Sequence, residues 1–146
     1  MAQPRRKASL GAAKWLRGGS EAWSELELAR LVAKGIPTSV LGDVVEQGLL
    51  TRDEVTRLIV ARRTLAHRKR RGEALSRDES DRFARVMRLY GIARRTFDGD
   101  AETVSKWLRT PNRALSGEVP LELVVTSTGA RLAEDVLLRI EHGVYS

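Results

Sequence analysis

A run of cationic side chains between residues 62 and 71 is the part of this sequence best suited to a chemical task. The run holds six Lys or Arg residues and no acidic residue. Arginine pairs with the O6 and N7 atoms of guanine, and both Arg and Lys neutralise phosphate oxygens. The composition favours a polyanionic partner, with duplex DNA, RNA or a ribosome surface as candidates, although a merely solvated basic face has the same composition.

The residues before this run predict a helix-turn-helix. Thr51-Arg52-Asp53-Glu54 is a capping box, in which the Thr hydroxyl and the Glu carboxylate each satisfy a free amide at a helix start. Apolar residues follow at helical spacing, and a short turn near Val60-Ala61 precedes the basic run. We expect Thr51–Ile59 to brace a recognition helix, Arg62–Arg71, in the major groove of DNA, which is about 12 Å wide.

Position along that helix predicts a division of roles. Its amino-terminal part should approach base edges, through Arg62, Arg63, Thr64 and His67. Its remaining cations should neutralise phosphates, namely Arg68, Lys69, Arg70 and Arg71. Leu65 should be buried against Leu58 or Val55 and so be structural.

The net charge of +7 belongs to one half of the chain. Residues 1–74 hold 15 Lys+Arg against 8 Asp+Glu, and residues 75–146 hold 11 of each. This asymmetry indicates a polyanion-binding module joined to a module with a different partner. We expect a mobile basic arm over 1–20, a DNA-binding unit over 21–74, a linking helix over 75–97 and a second unit over 98–146.

The apolar pattern predicts an all-α fold, because period-two alternation long enough for a sheet is absent. A second capping box, Ser76-Arg77-Asp78-Glu79, should open the longest helix. Trp107 is expected in the core and Asn112 in a turn that it holds by bonding its own backbone. The last long helix, at about 129–141, should face inward through Leu132, Val136, Leu137 and Ile140.

Several functional classes lack the residues that they need. There is no Cys, and His67 and His142 lie far apart, so we expect no disulfide and no metal site. Paired catalytic carboxylates, a nucleophile with its base and a phosphate-cradling glycine loop are also missing, so we expect neither an enzyme nor a cofactor. An apolar signal segment and a membrane span are missing too, which favours a soluble cytoplasmic protein.

The carboxy-terminal third carries a family pattern. It contains Trp107-Leu108-Arg109-Thr110-Pro111-Asn112-Arg113-Ala114-Leu115, then Gly117, Pro120-Leu121, Thr126 and Gly129, and finally Arg139-Ile140-Glu141-His142-Gly143-Val144-Tyr145. This pattern resembles the toxin-binding domain of Xre/MbcA/ParS antitoxins, partners of RES-domain toxins. The Arg-Thr-Leu core followed by basic residues in the predicted recognition helix resembles the same family.

The resemblance implies an Xre-like helix-turn-helix domain followed by a small helical toxin-binding domain over 98–146. In related antitoxins the terminal region lies at the toxin's active-site cleft, and RES toxins resemble ADP-ribosyltransferases that use NAD. It therefore implies that a NAD-binding pocket in the toxin is covered by Glu141, His142, Gly143, Val144, Tyr145 and Ser146. Arg139 would form an ion pair nearby.

The expected function is that of a type II antitoxin that covers a RES toxin and represses its own operon. A homodimer is expected within a larger complex, because helix-turn-helix proteins generally need two half-sites about one DNA turn apart. A stand-alone transcriptional regulator remains an alternative and predicts operator binding without a toxin. A structural RNA-binding or ribosome-binding protein predicts salt-sensitive binding without preference for a palindromic duplex.

Overall fold

Every regular element of the described residues is helical. The structure is a computed structural model that describes residues 25–143. Its elements are α1 (Glu25–Lys34), α2 (Thr38–Glu46), α3 (Arg52–Leu58), α4 (Arg62–Arg71), α5 (Arg77–Thr96), α6 (Ala101–Arg109), the 3₁₀ helices η1 (Arg113–Leu115) and η2 (Pro120–Val125), and α7 (Ser127–Glu141). The all-α prediction is confirmed. The arm predicted over 1–20 and the residues Val144, Tyr145 and Ser146 lie outside the described residues.

The chain divides into two compact units, residues 1–80 and 81–146. In the first unit the apolar faces of short helices form one core, consisting of Leu28, Ile36, Val40, Leu41, Val44, Leu50, Val55, Leu58, Ile59, Val60 and Leu75. The loop before α2 joins this core through backbone hydrogen bonds as well as side chains. The Leu75 amide donates to the Ile36 carbonyl at 2.9 Å, and the Ile36 amide donates to the buried Ser80 hydroxyl at 3.1 Å.

Helix α3 begins as the capping box predicts. The Thr51 amide donates to the Glu54 carboxylate at 2.9 Å, and the Glu54 amide donates to the Thr51 hydroxyl at 3.0 Å. Ile59 and Val60 follow the helix and are almost completely buried, so the turn that leads to α4 is anchored in the core of the first unit. The brace of a helix-turn-helix is thereby fixed at both ends.

The second unit is organised along α5. Its predicted apolar stripe is buried throughout, and consists of Phe83, Val86, Met87, Tyr90 and Ala93. Arg85, on a neighbouring face, donates to the carbonyls of Val124 at 2.9 Å and Val125 at 3.2 Å, and it also pairs with Asp81. These carbonyls lie at the end of η2, where a short helix leaves acceptors without partners of its own.

Helix α7 buries the face predicted for it, with one exception. Val136 and Leu137 are buried and Ile140 is half-buried, but the prediction for Leu132 is wrong, because 52% of that residue is exposed. Consecutive helical residues are rotated by about 100°, and Leu132 directly precedes Ala133, which lies at the centre of the buried face. Leu132 therefore lies at the side of the helix.

The start of α7 lies so close to η2 that only glycine fits at position 129. A Cβ atom on Gly129 would lie 2.2 Å from the Leu123 carbonyl oxygen and 3.0 Å from the Thr126 hydroxyl. That hydroxyl caps the helix by accepting from the Gly129 amide at 3.0 Å. Any side chain here must push two backbone segments apart.

Gly129→Ala should therefore lower the free energy of unfolding by about 2 kcal/mol, since the clash is with backbone that cannot move aside. Gly42→Ala is the matched control, because Gly42 lies in α2 and, apart from its chain neighbours and its own helix backbone, no atom lies within 4 Å of the place that its new methyl group would occupy. That control should gain about 0.5–1 kcal/mol from helix propensity. Urea unfolding followed by circular dichroism measures both, and a stabilised Gly129→Ala would contradict the close packing.

Candidate nucleic-acid interface and carboxy-terminal surface

The basic run forms one regular helix with the predicted bounds. Ala61, with φ of −56° and ψ of 143°, is the amino-terminal cap residue before α4, and Gly72 ends the helix in a left-handed conformation with φ of 64°. The Gly72 amide donates to the Lys69 carbonyl at 3.3 Å, and the Glu73 amide donates to the Arg68 carbonyl at 2.9 Å. All eight residues that the sequence assigns to DNA are thus brought onto one ten-residue helix.

Helix α4 presents two different faces. Its inner face consists of the partly buried residues Thr64, Leu65 and Arg68. Its outer face, which we call the basic face, consists of the exposed residues Arg62, Arg63, Ala66, His67, Lys69 and Arg70. Arg71 is also exposed, but it is not counted in this face because its Nη1 lies 3.7 Å from Glu73. Leu65 was predicted to be buried but is only partly so, and in fact no residue of α4 is fully buried. The helix is therefore held by few contacts.

The cations of the basic face are available for an external partner. Among residues 25–143, no ion pair joins Arg62, Arg63 or Arg70 to an acidic side chain of the chain itself. Arg63, His67 and Arg70 recur at spacings of four and three, so they share one stripe. Ala66, beside that stripe, is short enough to let a partner approach the helix backbone.

Arg68 is the one Lys or Arg residue of α4 that is not exposed. Its Nε donates to Oε1 of Glu79 at 2.7 Å and its Nη2 donates to Oε2 of the same carboxylate at 3.4 Å. Its Nη1 also lies 3.6 Å from Glu73, and only 23% of its side chain is exposed. The structure therefore gives internal partners to a residue that the sequence assigned to phosphates.

Glu79 completes the second capping box, as predicted. Its carboxylate accepts from the Ser76 amide at 2.7 Å, while its own amide donates to the Ser76 hydroxyl at 3.2 Å. Burial raises the pKa of Glu79, but the hydrogen bonds from the Ser76 amide and from Arg68 outweigh it and hold that pKa below its ordinary value. Glu79 is therefore an ionised, nearly buried carboxylate.

The carboxy-terminal surface is formed by the end of α7. Arg139, His142 and Gly143 are exposed there, and Gly143 has a positive φ of 67°. Glu141 instead forms a two-pronged ion pair with Arg95. Its Oε1 accepts from Nε of Arg95 at 2.7 Å, and its Oε2 accepts from Nη2 at 3.0 Å. The hydrogen bond from Arg95 lowers the pKa of Glu141. The last turn of α7 is thus attached to α5, a contact that the sequence pattern does not predict.

A pocket of about 260 Å³ opens beside α6. It is lined mainly by apolar surface from Phe97, Thr103, Lys106, Trp107, Thr110, Pro111 and Asn112. The rings of Phe97 and Trp107 are 6.2 Å apart and tilted by 49°. Trp107 was expected in the core, but it is only partly buried and forms a wall of this pocket. Asn112 holds its turn as predicted, because its side chain accepts from the Ala114 amide at 2.9 Å.

Metal-ligating clusters and membrane-spanning helices are both absent from the described residues. Between residues 25 and 143, no three His, Cys, Asp or Glu side chains are grouped so that they could hold a metal ion. No helix in the same range is both long and apolar enough to cross a membrane.

Comparison with known proteins identifies both units. Residues 27–88 match the Antitoxin Xre-like helix-turn-helix domain, and residues 93–143 match the Antitoxin Xre/MbcA/ParS C-terminal toxin-binding domain. A protein named Antitoxin Xre from Pseudomonas putida is 32% identical over 120 residues, which cover 82% of this chain and 74% of the relative. The chain belongs to the Xre antitoxin family. Its Xre-like helix-turn-helix followed by a toxin-binding domain confirms the predicted fold class.

Two other relatives named Antitoxin Xre extend the comparison over nearly the whole chain. The protein from Yersinia enterocolitica is 29% identical and the alignment covers 92% of this chain and 91% of the relative. The protein from Photorhabdus laumondii is 26% identical and the alignment covers 90% of each. These Xre relatives carry the names of antitoxins and not of enzymes, and the family's two domains indicate DNA and a toxin as partners.

The capping role of Glu79 makes the first unit of this Xre protein sensitive to acid. Because the pKa of Glu79 is lower in the folded chain, its stabilisation is complete above the ordinary value of 4.5 and is lost as the pH falls through the folded-state pKa. Glu79→Gln should therefore show a shallower loss of unfolding free energy between about pH 5 and 3 than the natural chain. Urea unfolding across this range measures the slope. Glu46→Gln, which removes one carboxylate at an exposed site, is the control, and a slope for Glu79→Gln equal to that of the natural chain would contradict the assignment.

Proposed function

We propose that this chain neutralises a RES-domain toxin by covering its active site, and that it represses its own operon by binding operator DNA. The observation that carries the proposal is the combination of a braced basic face, whose arginines have no acidic partner among residues 25–143, with a separate unit that matches the family's toxin-binding domain. One unit supplies cations to a polyanion, and the other, in which acidic and basic residues nearly balance, supplies a protein-binding surface.

The DNA-binding half of the proposal rests on the basic face. Arg62 and Arg63 lie in the first turn of α4, which in a helix-turn-helix approaches base edges, and His67 lies one turn further on. Lys69, Arg70 and Arg71 lie toward the other end and would neutralise phosphates. Thr64 lies on the partly buried inner face, so any base contact from it would be made at the edge of the interface.

Two copies of the chain should bind one operator. A single recognition helix reads only a few base pairs, so helix-turn-helix proteins generally place two such helices in major grooves one DNA turn apart. We therefore propose a homodimer on a pseudo-palindromic site, within a larger complex when the toxin is present. A structured RNA is a weaker candidate, because a side-chain-bearing helix does not fit the narrow major groove of an A-form duplex.

The toxin-binding half of the proposal rests on the end of α7. Arg139, His142 and Gly143 are exposed where the chain continues to Val144, Tyr145 and Ser146. The ion pair of Glu141 with Arg95 fixes the direction in which this end of the helix is presented. Covering a NAD pocket requires shape and hydrogen bonds, with no chemistry from the protein that covers it. The alternative function is that of a stand-alone regulator. It has no toxin partner and predicts the same operator binding as an antitoxin.

Replacing both Arg62 and Arg63 with Ala should weaken operator binding by at least tenfold, because each bidentate contact to guanine contributes about 1–3 kcal/mol. Neutralisation of the toxin should be unchanged. Arg113→Ala with Arg131→Ala is the matched control, since it removes two exposed cations from the second unit. Gel-shift titration with the promoter duplex of the chain's own gene measures the affinity. Equal losses in both double variants would show that net charge, and not the basic face, determines binding.

Removing residues 143–146 should weaken toxin neutralisation and leave operator binding intact. The measurement is growth and intracellular NAD in cells that express the protein encoded beside this chain, with or without the truncated antitoxin. The variant lacking Arg62 and Arg63 is the reciprocal control and should rescue growth fully. Full rescue by the truncated chain would show that the tail is not part of the inhibitory surface. If the protein encoded beside this chain does not arrest growth, the stand-alone regulator is favoured.

A further inference from the structure

Arg68 occupies the place where the recognition helix is attached to the rest of its unit. The inner face of α4 offers only Thr64, Leu65 and Arg68, and none of these is fully buried. Arg68 contributes most of the polar attachment, because its guanidinium reaches both Glu73 and Glu79. Without it, α4 would be held by the partly buried Thr64 and Leu65 and by the turns at its two ends.

The partner of Arg68 is itself fixed. The Glu79 side chain is only 9% exposed, accepts from the Ser76 amide and lies in the first turn of α5. A charge-assisted, two-pronged contact to a fixed carboxylate defines distance and direction together, which a lysine cannot do. The contact therefore determines the angle between α4 and the start of α5 within the first unit.

We propose that Arg68 is a positioning residue, which holds the recognition helix through Glu79 so that Arg63, His67 and Arg70 face the DNA groove together, and which does not itself neutralise a phosphate. The inference deepens the proposed function and rests on it for the identity of the DNA partner. It gives one of the six cations in this helix a structural role, whereas the neighbouring cations are proposed to contact DNA.

The two roles predict opposite effects of changing Glu79. If Arg68 contacts a phosphate, Glu79 competes with the DNA for it, so Glu79→Gln would release the arginine and tighten binding. If Arg68 positions the helix, the same change loosens α4 and weakens binding. Glutamine retains the capping-box geometry, so this variant should still begin α5 correctly.

The experiment measures the affinity of Arg68→Gln, Arg68→Lys, Glu79→Gln and the control Lys69→Gln for the promoter duplex of the chain's own gene, between about 50 and 200 mM salt. We expect the first three variants to bind on the order of tenfold more weakly, as for loss of a charge-assisted hydrogen bond, with the salt slope of the natural chain. Lys69→Gln should reduce that slope by about 0.9, the value for one phosphate contact. A tightened Glu79→Gln, or a slope reduced by Arg68→Gln but restored by Arg68→Lys, would overturn the proposal.

Amide hydrogen exchange in the free protein provides a test that needs no DNA. Residues 62–71 should exchange faster in Arg68→Gln and Glu79→Gln than in Lys69→Gln, because only the first two remove an attachment of α4. Unchanged exchange would refute positioning whether or not the chain binds DNA. If exchange rises in both variants but the natural chain shows no preference for the promoter duplex, the proposed DNA function fails and the positioning role stands. If Arg68→Gln does not fold, Arg68→Lys and Glu79→Gln decide the question.

Discussion

Two adjacent polar residues at the start of α5, Glu79 and Ser80, are buried and must be satisfied within the first unit. Glu79 accepts from the Ser76 amide and from Arg68, and the Ser80 hydroxyl accepts from the Ile36 amide. A buried carboxylate without such partners would cost several kcal/mol. The loop before α2, the recognition helix and α5 are therefore all tied to one pair of side chains, and the position of α4 depends on that pair being satisfied.

This dependence explains how a helix with six cations can remain in a small unit without burying any of its residues. Repulsion along α4 is reduced by Glu79, which pairs with Arg68, and by Glu73, which lies 3.6 Å from Arg68 and 3.7 Å from Arg71. The basic face opposite has no such acidic partners among residues 25–143, so it keeps the positive potential that attracts a polyanion. Structural and functional arginines are therefore separated by helical phase, and identical side chains a few residues apart have different surroundings.

Local signals in the sequence predicted most of the fold, and contacts between distant residues explain part of what those signals missed. Both capping boxes and the bounds of α4 depend on residues within four positions, so a linear pattern contains them. The Arg68–Glu79 pair joins residues eleven positions apart on different helices. The sequence feature that could have indicated this pair is a Glu at the third helical position of a capping box, soon after a basic helix. Leu132 and Trp107 are less buried than predicted. Helical phase decides the exposure of Leu132 and loop geometry that of Trp107, and hydrophobic type alone predicts neither.

The carboxy-terminal unit uses the same kind of contact at a more exposed place. Arg95 pairs with Glu141 through two hydrogen bonds, yet 53% of the Arg95 side chain is exposed, so screening leaves the pair worth at most about 1 kcal/mol. A contact that adds so little to stability can still restrict direction, because a guanidinium fork donates both hydrogen bonds to a carboxylate in only a few orientations. Glu141 lies in the last turn of α7, immediately before the residues proposed to cover the toxin. The ion pair therefore matters more for where the chain's end is presented than for whether the unit folds.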